Sequence, residues 1–189
     1  MLSVIISTDG VEQPAVATLA ALVPGAAAGV IREVLLVDRA STDVIERVAD
    51  VAGCGYLTST GSRAAAMAAG AKAARSPWLM FLHAGAVLDS GWIEETQQFI
   101  QRISASDRPR AGIFRYARSP YDETGFRDEV KHFIRKVSGP KADQGLLIAR
   151  DHYERLGGHA DASRAEAKLL RQLGRASRTM LRSRIMMVA

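Results

Sequence analysis

The first half of the chain alternates short apolar runs with segments of helical period, and this beat constrains the fold more than any other feature. "LSVIIS" is a β-branched run, residues 14 to 23 form an Ala/Leu segment that reads as helix, and "EVLLVD" from Glu33 is a second apolar run ending on an acid. In "STDVIERVADVAG", Ser41 or Thr42 serves as N-cap, Val44, Ile45, Val48 and Val51 recur at helical spacing, and Gly53 lies just past the end. "CGYLTS" reads as a strand and "SRAAAMAAGAKAAR" as an Ala-rich helix closed by Ser76-Pro77. "WLMFLH" is apolar throughout, as a strand covered on both faces should be. Repeated βα units imply a parallel sheet with helices on both sides. Strands are expected near 2 to 7, 33 to 38, 54 to 58 and 77 to 82.

The second half is less regular. Trp92, Ile93, Phe99, Ile100 and Ile103 fit one face of a helix, "AGIFRYA" a strand, "DEVKHFIRKV" a helix and "DQGLLIAR" a strand. Two short helices, "DHYERLGG" and "SRAEAKLLRQLG", precede a last strand near "RIMMV". The expectation is α/β with a mixed, mainly parallel sheet flanked by helices. No repeat, low-complexity segment or linker divides residues 1 to 189, so one domain is expected.

With 48% hydrophobic and 24% charged residues the chain has the balance of a soluble globular protein. "MLSVIIS" has no basic lead, and no segment approaches about 20 apolar residues, so a cytoplasmic protein is expected. One cysteine, Cys54, excludes an intrachain disulfide framework, and His83, His132, His152 and His159 lack the helical two-His spacing of a zinc site. The net charge of +5 is uneven: nothing acidic follows Glu166, whereas Arg171, Arg175, Arg178, Arg182 and Arg184 do. This basic segment reads either as a solvated face or as a contact for an anionic membrane surface or phosphorylated ligand. Nucleic acid is not expected, since zinc-finger spacing is missing and only 6% of residues are aromatic.

Ligands of open α/β sheets bind beyond the carboxyl ends of the strands. Those ends are Ser7, Thr8 and Asp9; Asp38; and His83, Ala84 and Gly85. An acid closing an apolar strand is not explained by packing, so Asp38 is either a site residue or a cap of the next helix. His83 is either a site residue or a partly buried histidine with one satisfied nitrogen.

"LSVIIST", "EVLLVDRASTD", "SRAAAMAAGAKAARSPWLMFLHAGAVLDSGW" and "DQGLLIARDHYERLGG", in this order and spacing, resemble the family 2 glycosyltransferases of the GT-A (Rossmann-like) fold. The nearest form is the small bacterial subgroup whose fourth strand ends in His-Ala-Asp. The resemblance implies a nucleotide diphosphate sugar as donor, with Thr8, Asp38, Arg63 and His83 holding the nucleotide portion. Several positions depart from the family pattern. Gly10 and Val11 replace the first loop's Asn-Glu, Arg39 stands where a second acid often follows, and Ser62, Ala66 and Ala68 replace Gly, Gln and Asn around the third helix.

The resemblance also implies a divalent cation, Mn or Mg, bound by the last acid of a D-x-D-like motif. Here that position is Gly85, which leaves His83 as a poor ligand and Asp89 as the nearest acid beyond. Asp143 and Gln144 match the segment around the acceptor site, or else form a turn before a strand. The family's base lies in a Glu-Asp pair, and alignment puts Ala165 at the Glu and Glu166 at the Asp. Glu166 is then the catalytic base, or a surface residue pairing with Lys168 or Arg171. Two classes follow: an inverting glycosyltransferase, or a GT-A-like domain that has lost catalysis and serves as a nucleotide-binding or scaffold protein.

Overall fold

The computed structural model describes residues 1–117, 144–159 and 165–188, and for residues 165 and 166 the backbone only. The expected helix "DEVKHFIRKV" and Asp143 lie outside the described residues, as does the side chain of Glu166.

The expected beat is present. Strands β1 (Leu2–Thr8), β2 (Ile31–Asp38), β3 (Gly55–Thr58) and β4 (Trp78–His83) alternate with helices α1 (Glu12–Ala27), α2 (Asp43–Ala52) and α3 (Arg63–Ala73). Then come β5 (Ala86–Leu88), α4 (Trp92–Ser104), β6 (Ala111–Tyr116), β7 (Leu146–Ala149), α5 (Arg150–Arg155), α6 (Ala165–Gln172) and β8 (Arg178–Met187). One sheet orders them β3-β2-β1-β4-β7-β6-β8-β5. β1 to β4 pair in parallel, β7 runs antiparallel to β4 and β6, β6 and β8 are parallel, and β5 is antiparallel to β8. The sheet is therefore mixed and mainly parallel.

Among the differences from expectation, these have local reasons. α1 runs through Pro24 to Ala27; the proline lacks an N–H, but its carbonyl accepts from Ala28 at 2.9 Å and so keeps the last turn. Strand β5 is only three residues long, too short for periodicity to reveal. β8 starts at Arg178, well before "RIMMV", because Leu181, Ser183 and Ile185 alternate inward while Arg182 and Arg184 point out.

Alternation along the strands divides the core in two. Val4, Ile6, Leu36, Met80 and Leu82 pack on one face with Trp78, Trp92 and Phe99; Ile5, Leu35, Val37, Leu79 and Phe81 pack on the other with Met67, Tyr153 and Leu169. Burying an aromatic such as Phe99, 1% exposed, makes its truncation to alanine cost about 3–5 kcal/mol. The Ala-rich helix α3 needs its small residues. A Cβ on Gly70 would come within 2.4 Å of Ile5 Cγ2, so α3 lies directly on β1.

Candidate functional site

The register brings the expected ends together. Thr8 is opposite Asp38, and Ser7 is opposite His83, so the carboxyl ends of β2, β1 and β4 form one continuous edge. The two-residue period then separates their side chains: Thr8 and Asp38 lean toward the α1/α2 layer, and Ser7 and His83 toward the layer of α3 and α5.

Asp38 is fully buried and accepts four hydrogen bonds. Oδ1 takes the Thr8 hydroxyl and the Gly10 N–H, both at 2.8 Å; Oδ2 takes the Thr42 N–H at 2.8 Å and its hydroxyl at 3.2 Å. Burial alone would raise its pKa, but the donors from Thr42, Thr8 and Gly10 outweigh burial and hold the carboxyl below its ordinary value. Thr42 occupies the N-cap position of α2, yet its side chain makes no cap bond, and Ser41 sits at φ 53°. The threonine cap bond to the first turn is missing; instead Asp38 accepts the Thr42 N–H and hydroxyl from the end of β2. Asp38 ties together the loops that follow β1 and β2.

Arg39 bridges the mouth of the same edge. Its Nη1 donates to Asp9 Oδ1 at 2.9 Å and its Nε to the Gly61 carbonyl at 3.4 Å, joining three βα loops. Arg63 opens α3, exposed, after Ser62 accepts the Ala65 N–H as N-cap at 3.1 Å. Ala66 is wholly buried in the core, which explains a methyl group there.

On the other layer, Ser7 Oγ and His83 Nδ1 share a 3.1 Å hydrogen bond, both side chains buried. Beside them sits a pair that sequence reasoning missed. Tyr153 and His159 join at 2.9 Å between the Tyr hydroxyl and Nδ1, and both rings pack on Phe81. Burial, and then the charge of His83, press the His159 pKa down to about 4. The Gly157-Gly158 turn, with both φ positive, was the available signal for a tightly placed residue after it. Gln144, ahead of β7, is buried and donates to the Phe114 carbonyl at 3.3 Å.

The turn after β4 holds Gly85 at φ +93°, its carbonyl accepting the Val188 N–H at 2.8 Å. Asp89 Oδ2 accepts the Arg184 N–H at 2.9 Å, which anchors it beside β8. Among the described residues, no three His, Cys, Asp or Glu side chains group as a cation site. The residues at this turn do not fit the oxygen-rich shell that a hard divalent ion requires. Among the described residues, no helix is long and apolar enough to cross a membrane.

A family model described as "Glycosyl transferase family 2" matches residues 3–153. No curated protein sequence matches the chain. Solved structures that it resembles include TarS 1-349 from S. aureus, at TM-score 0.69 and 12% identity, covering 99% of this chain and 60% of that one. Glucosyl-3-phosphoglycerate synthase from Mycobacterium tuberculosis, solved with Mn2+, UDP and glucosyl-3-phosphoglycerate, matches at TM-score 0.64 and 14% identity over 95% of this chain and 68% of that one. The mannosyltransferase PcManGT from Pyrobaculum calidifontis, solved with GDP-Man and Mn2+, gives TM-score 0.64 and 18% identity over 95% and 53%. The chain thus spans about 60% of the length of the first of these. At these identities the likeness establishes the fold, which is GT-A.

Proposed function

The chain belongs to glycosyltransferase family 2, and on that premise we propose that it transfers a sugar from a nucleotide diphosphate sugar to an acceptor hydroxyl, with inversion at the anomeric carbon. The observation that carries this reading is the single edge formed by Thr8, Asp38 and His83 within the matched span. Thr8 and Asp38 hold the loops that receive the nucleotide, exposed Arg63 faces its anionic part, and His83 lies nearest the diphosphate.

Glu166 takes the proton of the acceptor hydroxyl as that oxygen bonds to the anomeric carbon. The bond from this carbon to the diphosphate oxygen breaks, and the nucleoside diphosphate leaves with the electron pair. Asp143 and Gln144 position the acceptor. Manganese or magnesium would neutralise the leaving diphosphate where a family member binds it. We place the protein in the cytoplasm, held at an anionic membrane surface by its C-terminal arginines.

Gly85, and the saturation of Asp38 by internal donors, favour a second reading, a nucleotide-binding domain without transfer. Incubation with UDP- and GDP-sugars separates the two. Release of nucleoside diphosphate that Glu166→Gln reduces about 100-fold supports the enzyme, a general base contributing about 10²–10⁴. Nucleotide binding with no release supports the binding domain.

A further inference from the structure

Where the resemblance places a cation-binding acid, this chain has built a backbone junction. Gly85 donates its N–H to the Pro14 carbonyl and to Thr18 Oγ1, both at 2.9 Å, which ties the turn to α1. Its carbonyl accepts the Val188 N–H, which ties the same turn to the end of β8. A Cβ at Gly85 would lie 2.3 Å from the Val188 carbonyl oxygen, and φ +93° disfavours any side chain there. The nearest polar groups are each tied on one atom: Asp89 Oδ2 accepts the Arg184 N–H, and His83 Nδ1 is hydrogen-bonded to Ser7. The antiparallel pairing of Ala86 with Met187 and Leu88 with Ile185 continues the junction into the sheet.

We infer that the β4 turn is a latch joining the C-terminal strand to the candidate site, and that a nucleoside diphosphate binds this chain without a divalent ion held at that turn. The inference rests on the nucleotide-sugar reading for its ligand, but not for the latch. Its consequence is counterintuitive: returning the family's acid by Gly85→Asp does not rebuild a cation site. The new side chain meets the Val188 carbonyl, so the turn must open before a carboxylate fits.

Three measurements on the full chain test this. Calorimetric titration with UDP and with GDP, in Mn2+ and in EDTA, should give affinities within about threefold of each other. The electron paramagnetic resonance signal of free Mn2+ should stay undiminished when equimolar protein is added. Gly85→Ala should lower the melting temperature by about 5 °C or more, since an alanine there is both strained and overpacked. A Mn2+-dependent gain of about tenfold or more, a protein-bound Mn2+ signal, or a Gly85→Ala chain that melts with the parent would each overturn the inference. If neither nucleotide binds under any condition while Gly85→Ala is destabilised and Mn2+ stays free, the latch stands and the donor reading falls.

Discussion

Asp38 Oδ1 accepts the Thr8 hydroxyl across 2.8 Å, which fastens the end of β2 to the end of β1. The other acceptances, from Gly10 and Thr42, make this carboxylate the knot of two site loops. Asp38→Asn keeps the shape but turns an NH2 group toward one set of donors. An unsatisfied buried donor costs about 1–3 kcal/mol, so the variant should lose roughly that much stability in urea titration. The sign with pH follows from the lowered folded pKa. The stabilisation is present above the ordinary carboxyl value of 3.8 and is lost as pH falls through the lower, folded one. In Asp38→Asn that acid-side loss should shrink; an unchanged acid limb would place the acid sensitivity elsewhere.

His159 predicts a second, separate pH dependence. Its pKa falls from 6.5 to about 4 on folding, so the unfolded chain binds the extra proton between those values. Stability attributable to it is complete above about pH 6.5 and declines toward pH 4, by about 3 kcal/mol in all. His159→Phe should reduce the slope of stability measured between pH 4.5 and 7, leaving the part due to His152, whose pKa burial also lowers. A histidine resonance titrating near 6.5 in the folded parent and assigned to His159 would contradict this.

Arg150 closes the C-terminal end of α3. Its guanidinium donates to the carbonyls of Ala71 at 2.9 Å, Ala74 at 2.6 Å and Ser76 at 3.1 Å, placing a cation at the negative end of the helix. Arg150→Met should cost about 2–4 kcal/mol, because several part-buried carbonyls lose their donor together. Arg150→Lys should recover only part, since an ammonium cannot reproduce the planar fork. Full recovery with lysine in denaturant titrations would reduce the role of Arg150 to its charge.

Elements whose signal is local were legible in the sequence. The βα beat and the acid closing "EVLLVD" located β1 to β4 and the edge carrying Thr8, Asp38 and His83. What escaped depends on partners remote in the chain. The missing carboxylate at Gly85 could be read, but not the strand end that takes its place, because Val188 is distant in sequence. Asp38 was open to two readings, and only the fold shows it reaching the Thr42 N–H that precedes α2. Tyr153 and His159 looked like ordinary residues of a helix and a Gly-Gly turn until Phe81 brought them together. The alternation of β8 was hidden because Arg178, Arg182 and Arg184 within it read as a charge run.

That alternation sharpens what the C-terminal arginines should do. Arg182 and Arg184 share one face of β8 with Met180 and Met186, which are 40% and 38% exposed. Arg115 of β6, also exposed, is the register partner of Arg184, so like charges stand side by side. Glu95 accepts the Arg182 and Ser183 N–H groups at 2.6 and 2.7 Å and offsets part of the charge from the strand's margin. Cations interleaved with flexible apolar side chains suit an anionic lipid surface, where each arginine contributes about 1 kcal/mol. Sedimentation with phosphatidylserine vesicles should therefore exceed that with phosphatidylcholine and fade with salt, as screening shortens the reach to about 8 Å at physiological strength. Arg182→Gln and Arg184→Gln should each weaken it about fivefold, and Met180→Ser with Met186→Ser should weaken what salt leaves. Equal sedimentation with both lipids, or with neither, would return this face to ordinary solvated surface.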